Sequence, residues 1–182
     1  MPTIVDSSGL TFNQRFSFSV FGALLLSEYY ARATAPLKSD NITIIEGISL
    51  SGFQVFAIHS ANTRAIFDPN PSIPATCLGF FACGNCEANN IGVCSVSIQT
   101  STLDFLIASV AIDDAPFCGG NIYTPGYQPP PGFTNIASQD DRFEVDYTVT
   151  TSPQANVVFS CYGTDVATMV VDAISFHGAF GT

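Results

Sequence analysis

The chain has 182 residues, of which 47% are hydrophobic and 11% are charged, and its formal net charge is −10. This length suits one domain with a full core, and the high hydrophobicity with few charges excludes a disordered chain. The 5 basic residues are scattered, which argues against nucleic acid or an anionic membrane surface as a partner. No apolar run is long enough to cross a bilayer as a helix.

The N-terminal segment, residues 1–13, reads MPTIVDSSGLTFN and is apolar and extended. We expect Thr3, Ile4 and Val5 to form a strand that pairs within its own sheet or is donated to the next subunit, and the sequence leaves both open. The segment lacks the basic start and apolar stretch of a signal peptide, so either a signal peptide was removed or the protein is not secreted by the general route, and we favour a mature or recombinant form. Residues 14–182 are predicted to form a single β-sandwich domain.

Period-two alternation dominates this domain. RFSFSV places its apolar residues on one face, and FEVDYTV places Glu144, Asp146 and Thr148 on a predicted solvent face. LDFLIASVAI is apolar on both faces and indicates a central strand, and FQVFAIHSA is predicted to be another strand. With about nine or ten such strands and no convincing helix, the chain is predicted to be an all-β, two-sheet, jelly-roll-like antiparallel sandwich.

Four of the six cysteines lie in CLGFFACGNCEANNIGVC. A structural zinc site usually needs two close ligand pairs, and a thioredoxin-type site needs its CxxC at a helix N-terminus. Neither context is evident, so disulfide-stapled loops are favoured, with four converging thiolates as the alternative. The simplest pairing joins Cys77 with Cys94, Cys83 with Cys86, and Cys118 with Cys161. Six cysteines allow 15 pairings, so this pairing is a hypothesis.

No catalytic motif is present in the sequence. GxSxG, the P-loop and the dinucleotide fingerprint are absent, and no motif selects a pair of carboxylates for glycoside hydrolysis. His59 lies in an apolar stretch and is expected to be structural, and His177 stands alone near the C-terminus. We therefore expect that the protein is not an enzyme.

A long Pro/Gly-rich segment, DDAPFCGGNIYTPGYQPPPGFTNIASQDD, has an acidic pair at each end. Clustered carboxylates suit Ca²⁺, although solvated turn residues are the simpler interpretation. The candidate calcium ligands are Asp113, Asp114, Asp140 and Asp141. The candidate binding residues, which would stack on a sugar, contact a neighbouring subunit or pack under their own loop, are Tyr123, Tyr127 and Phe133. No cofactor is required by any motif.

Two further stretches, EYYARATAPLKSDNITI and FQVFAIHSANTRAIFDPNPSIPAT, carry a family resemblance. With LDFLIASVAI, GFT and MVVDAISF, they resemble an uncharacterised β-sandwich domain of predicted archaeal cell-surface and extracellular proteins. The resemblance covers residues 28–176, and this chain departs from it by inserting the cysteine loop after PAT. It implies the fold, and it carries over no catalytic residue.

Archaeal surface sandwiches of this kind include subunits of extracellular pili and tubules in which one subunit's N-terminal strand completes the next subunit's sheet. The resemblance therefore implies an extracellular or cell-surface structural subunit that assembles with copies of itself by β-strand addition. The low surface charge agrees with this expectation. The alternative is a carbohydrate-binding or adhesive module that uses the Tyr/Pro loop to bind glycans.

Overall fold

The computed structural model describes residues 2–20, 24–45, 52–78, 92–112, 117–118, 129–139, 143–163 and 167–176. Within these ranges the chain forms 12 β-strands and no helix, which confirms the all-β prediction. No helix in these ranges is long and apolar enough to cross a membrane. The strands are β1 (Thr3–Asp6), β2 (Asn13–Val20), β3 (Leu24–Tyr30), β4 (Ile42–Ile45), β5 (Ala75–Leu78), β6 (Gly92–Ile98), β7 (Asp104–Ile112), β8 (Phe117–Cys118), β9 (Thr134–Gln139), β10 (Phe143–Val149), β11 (Val157–Gly163) and β12 (Ala167–Ser175).

The described strands pair only in antiparallel fashion and form four sheets. The largest has the strand order β5-β12-β7-β10-β9, and a second has the order β6-β11-β8. The strand pairs β1-β4 and β2-β3 form two further ribbons. The architecture is consistent with a β-sandwich, in which the two larger sheets are the layers.

The main core lies between the five-stranded and the three-stranded sheet. Phe159 of β11 and Leu106 of β7 are both fully buried there, and the ring of Phe133 meets that of Phe159 edge-on at a centroid distance of 5.2 Å. The buried members of this cluster are Ile73, Cys77, Val96, Ile98, Leu106, Ala108, Val110, Phe133, Phe159, Met169, Val171 and Ala173.

The opposite face of the five-stranded sheet is also covered. Phe16 and Leu26 of the β2-β3 ribbon pack against Ala111 and Val170, while residues 58–67 cover the Ile107 region. Strand β7 therefore buries both faces between its neighbours β12 and β10. This double burial explains why its sequence is apolar at nearly every position, and it confirms the prediction of a central strand.

The prediction for the two faces of β10 is wrong. The strand exists, but Glu144 and Asp146 are fully buried rather than solvated, and Val149 is exposed. In the register with β7, Glu144 lies opposite Val110 and Asp146 opposite Ala108, both members of the main core. Alternation assigned the charged face to solvent, whereas a sheet covered on both faces leaves no solvent face at this position.

The predicted strand FQVFAIHSA is also wrong. Residues 52–60 have no strand structure, and Phe53, Val55, Phe56 and His59 are exposed. The backbone first meets the sheet at an isolated bridge between Ala61 and Phe176. Alternating side chains suit a strand, but a strand also needs a hydrogen-bonding neighbour, and no described strand runs beside these residues.

Candidate assembly surface and buried acidic sites

The predicted assembly residues lie on a small ribbon at the N-terminus. Thr3, Ile4 and Val5 belong to β1, which pairs with β4 of the same chain and places Ile4 opposite Ile44. Val5 is 49% exposed and Ile45 at the end of β4 is 58% exposed. Among the described residues each strand of this ribbon pairs only with the other, so each has an unpaired edge. The ribbon thus combines open backbone edges with exposed apolar side chains.

Polar contacts close one end of this ribbon. The Ser7 amide donates to the Asn41 carbonyl at 3.1 Å, and the Asn41 amide donates to Ser7 Oγ at 2.9 Å. The hydroxyls of Ser7 and Ser8 donate to Asp40 Oδ1 at 2.8 and 2.9 Å. These bonds, led by that of the Ser7 hydroxyl, lower the pKa of Asp40. The network fixes the register in which β1 meets β4.

Apolar exposure extends beyond the ribbon. Exposed apolar residues also occur on β3, β10 and β11 and in the irregular segment after residue 51. The large hydrophobic side chains that are exposed among the described residues are Val5, Leu25, Leu37, Ile45, Phe53, Val55, Phe56, Val149 and Val158. Apolar atoms are common on any protein surface, but an apolar edge strand is a site for pairing with another chain.

The cysteine predictions fall partly outside the described residues. Cys83 and Cys86 lie outside them. Cys77 is buried on β5 and is disulfide-bonded. The backbone register places Cys161 of β11 opposite both Cys94 of β6 and Cys118 of β8. The predicted pairing therefore stays a prediction, and Cys161 has two neighbours at the distance of adjacent strands.

Most residues of the predicted calcium and sugar sites lie outside the described ranges. These residues are Asp113, Asp114, Asp140, Asp141, Tyr123 and Tyr127. Phe133 lies within the ranges, and its ring is part of the main core. No group of three or more His, Cys, Asp or Glu side chains suited to a metal ion occurs in the part of the chain that the structure describes.

A buried ion pair that the sequence did not predict links the β2-β3 ribbon to the large sheet. Arg15 Nε and Nη2 of β2 donate to the two carboxylate oxygens of Asp172 at 2.8 and 3.0 Å. Nη2 also donates to the Ile73 carbonyl at 3.2 Å, and the guanidinium carbon lies 3.8 Å from the Phe67 ring centroid. Asp172 is fully buried, and its two hydrogen bonds with the planar Arg15 guanidinium hold β2 to β12.

Glu28 of β3 belongs to the same site. Burial is the main cause that raises the pKa of Glu28 to about 8, and the negative charge of Asp172 adds to it. Arg15 opposes the shift, while a hydrogen bond to Asp172 favours the protonated acid. Burial therefore favours the neutral acid at Glu28, beside the ion pair of Arg15 and Asp172.

A second buried acidic site joins the loop before β5 to the start of β7. Asp68 Oδ2 accepts the amides of Ser101 and Thr102 at 2.6 and 3.0 Å, and its Oδ1 accepts the Asn70 amide at 2.7 Å. Burial would raise the pKa of Asp68, but these amides outweigh it and lower the pKa. Burial, together with the Asp68 charge, raises the pKa of Asp104 nearby.

The Thr102 hydroxyl ties this second site together. It donates to Asp104 Oδ1 at 2.6 Å and lies 2.9 Å from Ser175 Oγ. Asp68 is 5% exposed and Asp104 is fully buried, so a substrate has no access to the pair. The arrangement resembles a shared-proton carboxyl pair in chemistry, but its placement supports a structural role at the end of the sheet. No alternation pattern marks these residues, because each lies at a strand end or in a turn.

Comparison with known proteins found no matching family model, no matching curated protein and no matching solved structure.

Proposed function

We propose that this chain is a structural subunit of an extracellular or cell-surface filament or tubule, and that it assembles with copies of itself by β-strand addition. The observation that carries the proposal is the β1-β4 ribbon, which has no other strand partner among the described residues and which exposes Val5 and Ile45. Such edges are normally blunted by charge, proline or cover, and β1 and β4 together contain one charged residue, Asp6. A β1 strand that belongs only to this small, exposed ribbon can leave its own β4 and pair with the β4 of another subunit.

The route of assembly is exchange of β1. In a single chain β1 lies beside its own β4, and the same register is available to β1 of a second subunit. The segment between β1 and β2 contains Gly9 with φ of +77°, a turn conformation that favours glycine. In the proposed exchange, the backbone takes a different conformation at this turn, and β1 extends to the neighbouring subunit. Repeated head to tail, the exchange gives an open polymer rather than a closed dimer.

The topology of the two larger sheets supports a jelly-roll-like sandwich for this subunit. Strands β5, β6, β7 and β8 alternate between the five-stranded and the three-stranded sheet along the chain, and β10, β11 and β12 alternate again. Alternation of this kind is expected of two Greek keys folded together. We also propose the disulfide staples, with Cys118 bonded to Cys161; the register places both Cys118 and Cys94 opposite Cys161. Peptide mapping of the unreduced protein distinguishes these two bonds.

Covalent trapping of the ribbon tests the assembly. Ile4→Cys with Ile44→Cys places two thiols at opposed positions of β1 and β4. Strand donation predicts that oxidised filaments run as a ladder of multimers on non-reducing gels, while each single variant gives none. If filaments form but the double variant is cross-linked only within one chain, strand donation is wrong. If electron microscopy shows no ordered polymer under any condition, the proposed function is wrong.

A charge variant provides the matched control. Val5→Lys puts a charge on the exposed side of β1, and Val149→Lys puts one at a similarly exposed position (44%) on β10. We expect Val5→Lys to abolish polymers without lowering the melting temperature of the monomer, and Val149→Lys to leave polymers intact. Equal loss with both variants would indicate that assembly depends on general surface apolarity.

A further inference from the structure

The feature that remains unexplained is a pair of acidic side chains inside the main core. Glu144 and Asp146 of β10 are both fully buried, on the face of the sheet that also carries Ala108 and Val110 of the neighbouring strand β7. Both oxygens of Glu144 and Oδ2 of Asp146 are buried without a hydrogen-bond donor. Asp146 Oδ1 accepts a hydrogen bond from Asn135 Nδ2 of β9 at 2.9 Å. This pair of side chains therefore has three unsatisfied carboxyl oxygens.

Two ionised carboxylates cannot share such a site at an acceptable free-energy cost. Each buried charge loses its hydration, and two like charges side by side repel each other. One added proton changes both terms, because the resulting O–H donates to the facing carboxylate and only one charge remains. The Asn135 amide donates to Asp146 Oδ1, which favours the charge on Asp146 and the proton on Glu144.

The surroundings agree with this assignment. Among the described residues, the groups that act on the pKa of Glu144 are Asp146 and Asn135. The described core residues contributed by the facing three-stranded sheet, Val96, Ile98 and Phe159, are apolar. Burial first, then the hydrogen bond and charge of Asp146, raise the pKa of Glu144 to about 9, while the Asn135 amide acts in the opposite direction. Burial also raises the pKa of Asp146, while its bonds to Glu144 and Asn135 lower it.

We propose that Glu144 and Asp146 form a proton-binding latch, which holds β10 in the core by one shared proton and loosens β9 and β10 when that proton is lost at alkaline pH. Strand β10 lies between β7 and β9, and β9 ends the described sheet. A second charge in the core therefore acts first on this side of the sandwich. The latch is independent of the β1-β4 ribbon, so it stands whether or not strand donation occurs.

The expected pH dependence follows from proton linkage. The folded state keeps the Glu144 proton up to about pH 9, whereas an unfolded glutamate loses it near pH ~4.3. The stabilisation is fully present below the lower value and is lost as pH rises through the higher one. Between them, this one proton makes the unfolding constant rise about tenfold per pH unit. Glu28 contributes in the same direction up to about pH 8, so the two must be separated by variants.

The test measures chemical unfolding of the full chain between pH 5 and pH 10, together with infrared spectra of the native protein. Glu144→Gln keeps a neutral donor in place of the acid. We expect the unfolding constant of this variant to match that of the parent near pH 5. At higher pH the unfolding constant should rise about tenfold less per pH unit than in the parent. The infrared spectrum of the variant should lack one protonated-carboxyl band. Glu28→Gln is the matched control, and it should leave that band and the slope between pH 8 and 9 unchanged.

Other outcomes overturn the latch. An unchanged slope in Glu144→Gln would mean that Glu144 is already ionised at neutral pH. A rise in melting temperature with Ca²⁺ or Mn²⁺ in the parent, absent in Glu144→Gln, would mean that the orphaned oxygens bind a cation rather than a proton. If Glu144→Gln does not fold, the test is an infrared pH titration of the Glu28→Gln variant, in which Glu144 is still present. A protonated-carboxyl band that disappears near pH 9 supports the latch, and no such band at pH 7 refutes it.

Discussion

The ion pair between Arg15 and Asp172 permits a sharp stability prediction. Arg15→Met keeps much of the length and the apolar contact of the side chain and removes its charge and its donors. Asp172 then stays fully buried, with the Ala173 amide at 2.9 Å and the neutral Glu28 acid as its remaining donors. The hairpin formed by β2 and β3 loses the bond that ties it to β12.

The size of the effect follows from the burial of the carboxylate. Removing one partner of a buried pair costs about 3–5 kcal/mol, because an uncompensated charge is left behind. Arg15 is 20% exposed and two donors to Asp172 remain, so we expect the lower end, about 3 kcal/mol. For a chain of this length that corresponds to a fall of about 6–12 °C in melting temperature. Arg15→Lys keeps the charge but loses the bidentate geometry, and it should cost about 1–2 kcal/mol.

Urea unfolding at pH 6.5, followed by far-ultraviolet circular dichroism, measures these differences. Arg64→Met is the control, because Arg64 is exposed, and it should change the free energy of unfolding by less than about 0.5 kcal/mol. A double-mutant cycle with Asp172→Asn should give a coupling of more than about 1.5 kcal/mol. A loss below about 1 kcal/mol for Arg15→Met, or no measurable coupling, would refute the reasoning and place this pair with ordinary surface ion pairs.

Three further predictions concern the other buried groups. Glu28→Gln should equal the parent in stability near pH 5 and exceed it above pH 8, because the parent loses its Glu28 proton as pH rises. Urea unfolding at both pH values measures this difference. Equal unfolding curves at pH 9 would contradict the raised pKa of Glu28. Asp68→Asn should lower the free energy of unfolding by about 3 kcal/mol at pH 7, since one amide oxygen cannot accept all the donors that face the carboxylate. The Asp68 pKa is lowered, so the parent should approach this variant in stability as pH falls below about 4, and a constant difference down to pH 2 would count against the hydrogen-bond account. Phe159→Ala should cost about 3–5 kcal/mol in thermal or urea unfolding, whereas Val158→Ala, 43% exposed on the same strand, should cost less than about 1 kcal/mol.

Buried acidic residues limited what could be predicted from the sequence. Strands β2 and β7 could be predicted from the sequence. Alternation of apolar and polar residues indicates that one face of a strand is buried, and a continuous apolar run indicates that both faces are. The faces of β10 were not, because hydropathy treats Glu144 and Asp146 as charged, whereas a carboxyl pair that shares a proton enters a core with one charge fewer. Arg15 and Asp172 are 157 positions apart, and no local pattern connects them.

The β1 strand illustrates a different limit. Its alternation was enough to predict an extended segment, and Thr3, Ile4 and Val5 do lie in a strand. Its partner could not be predicted, because backbone hydrogen bonds are the same for every sequence and only tertiary placement selects which edge is open. The same reason explains residues 52–60, which alternate as a strand does and have no strand beside them.

The amino-acid sequence by itself determined that this protein is built of β-strands, since local alternation and β-branched and aromatic residues act at short range. It also determined which strand is buried on both faces, because burial requires apolar side chains at successive positions. Tertiary structure alone decided which strands are neighbours, which carboxylates meet in the core and which edges remain unpaired. These outcomes depend on residues distant in the chain, and the energies of charge burial and hydrogen bonding are set only once those residues are in contact.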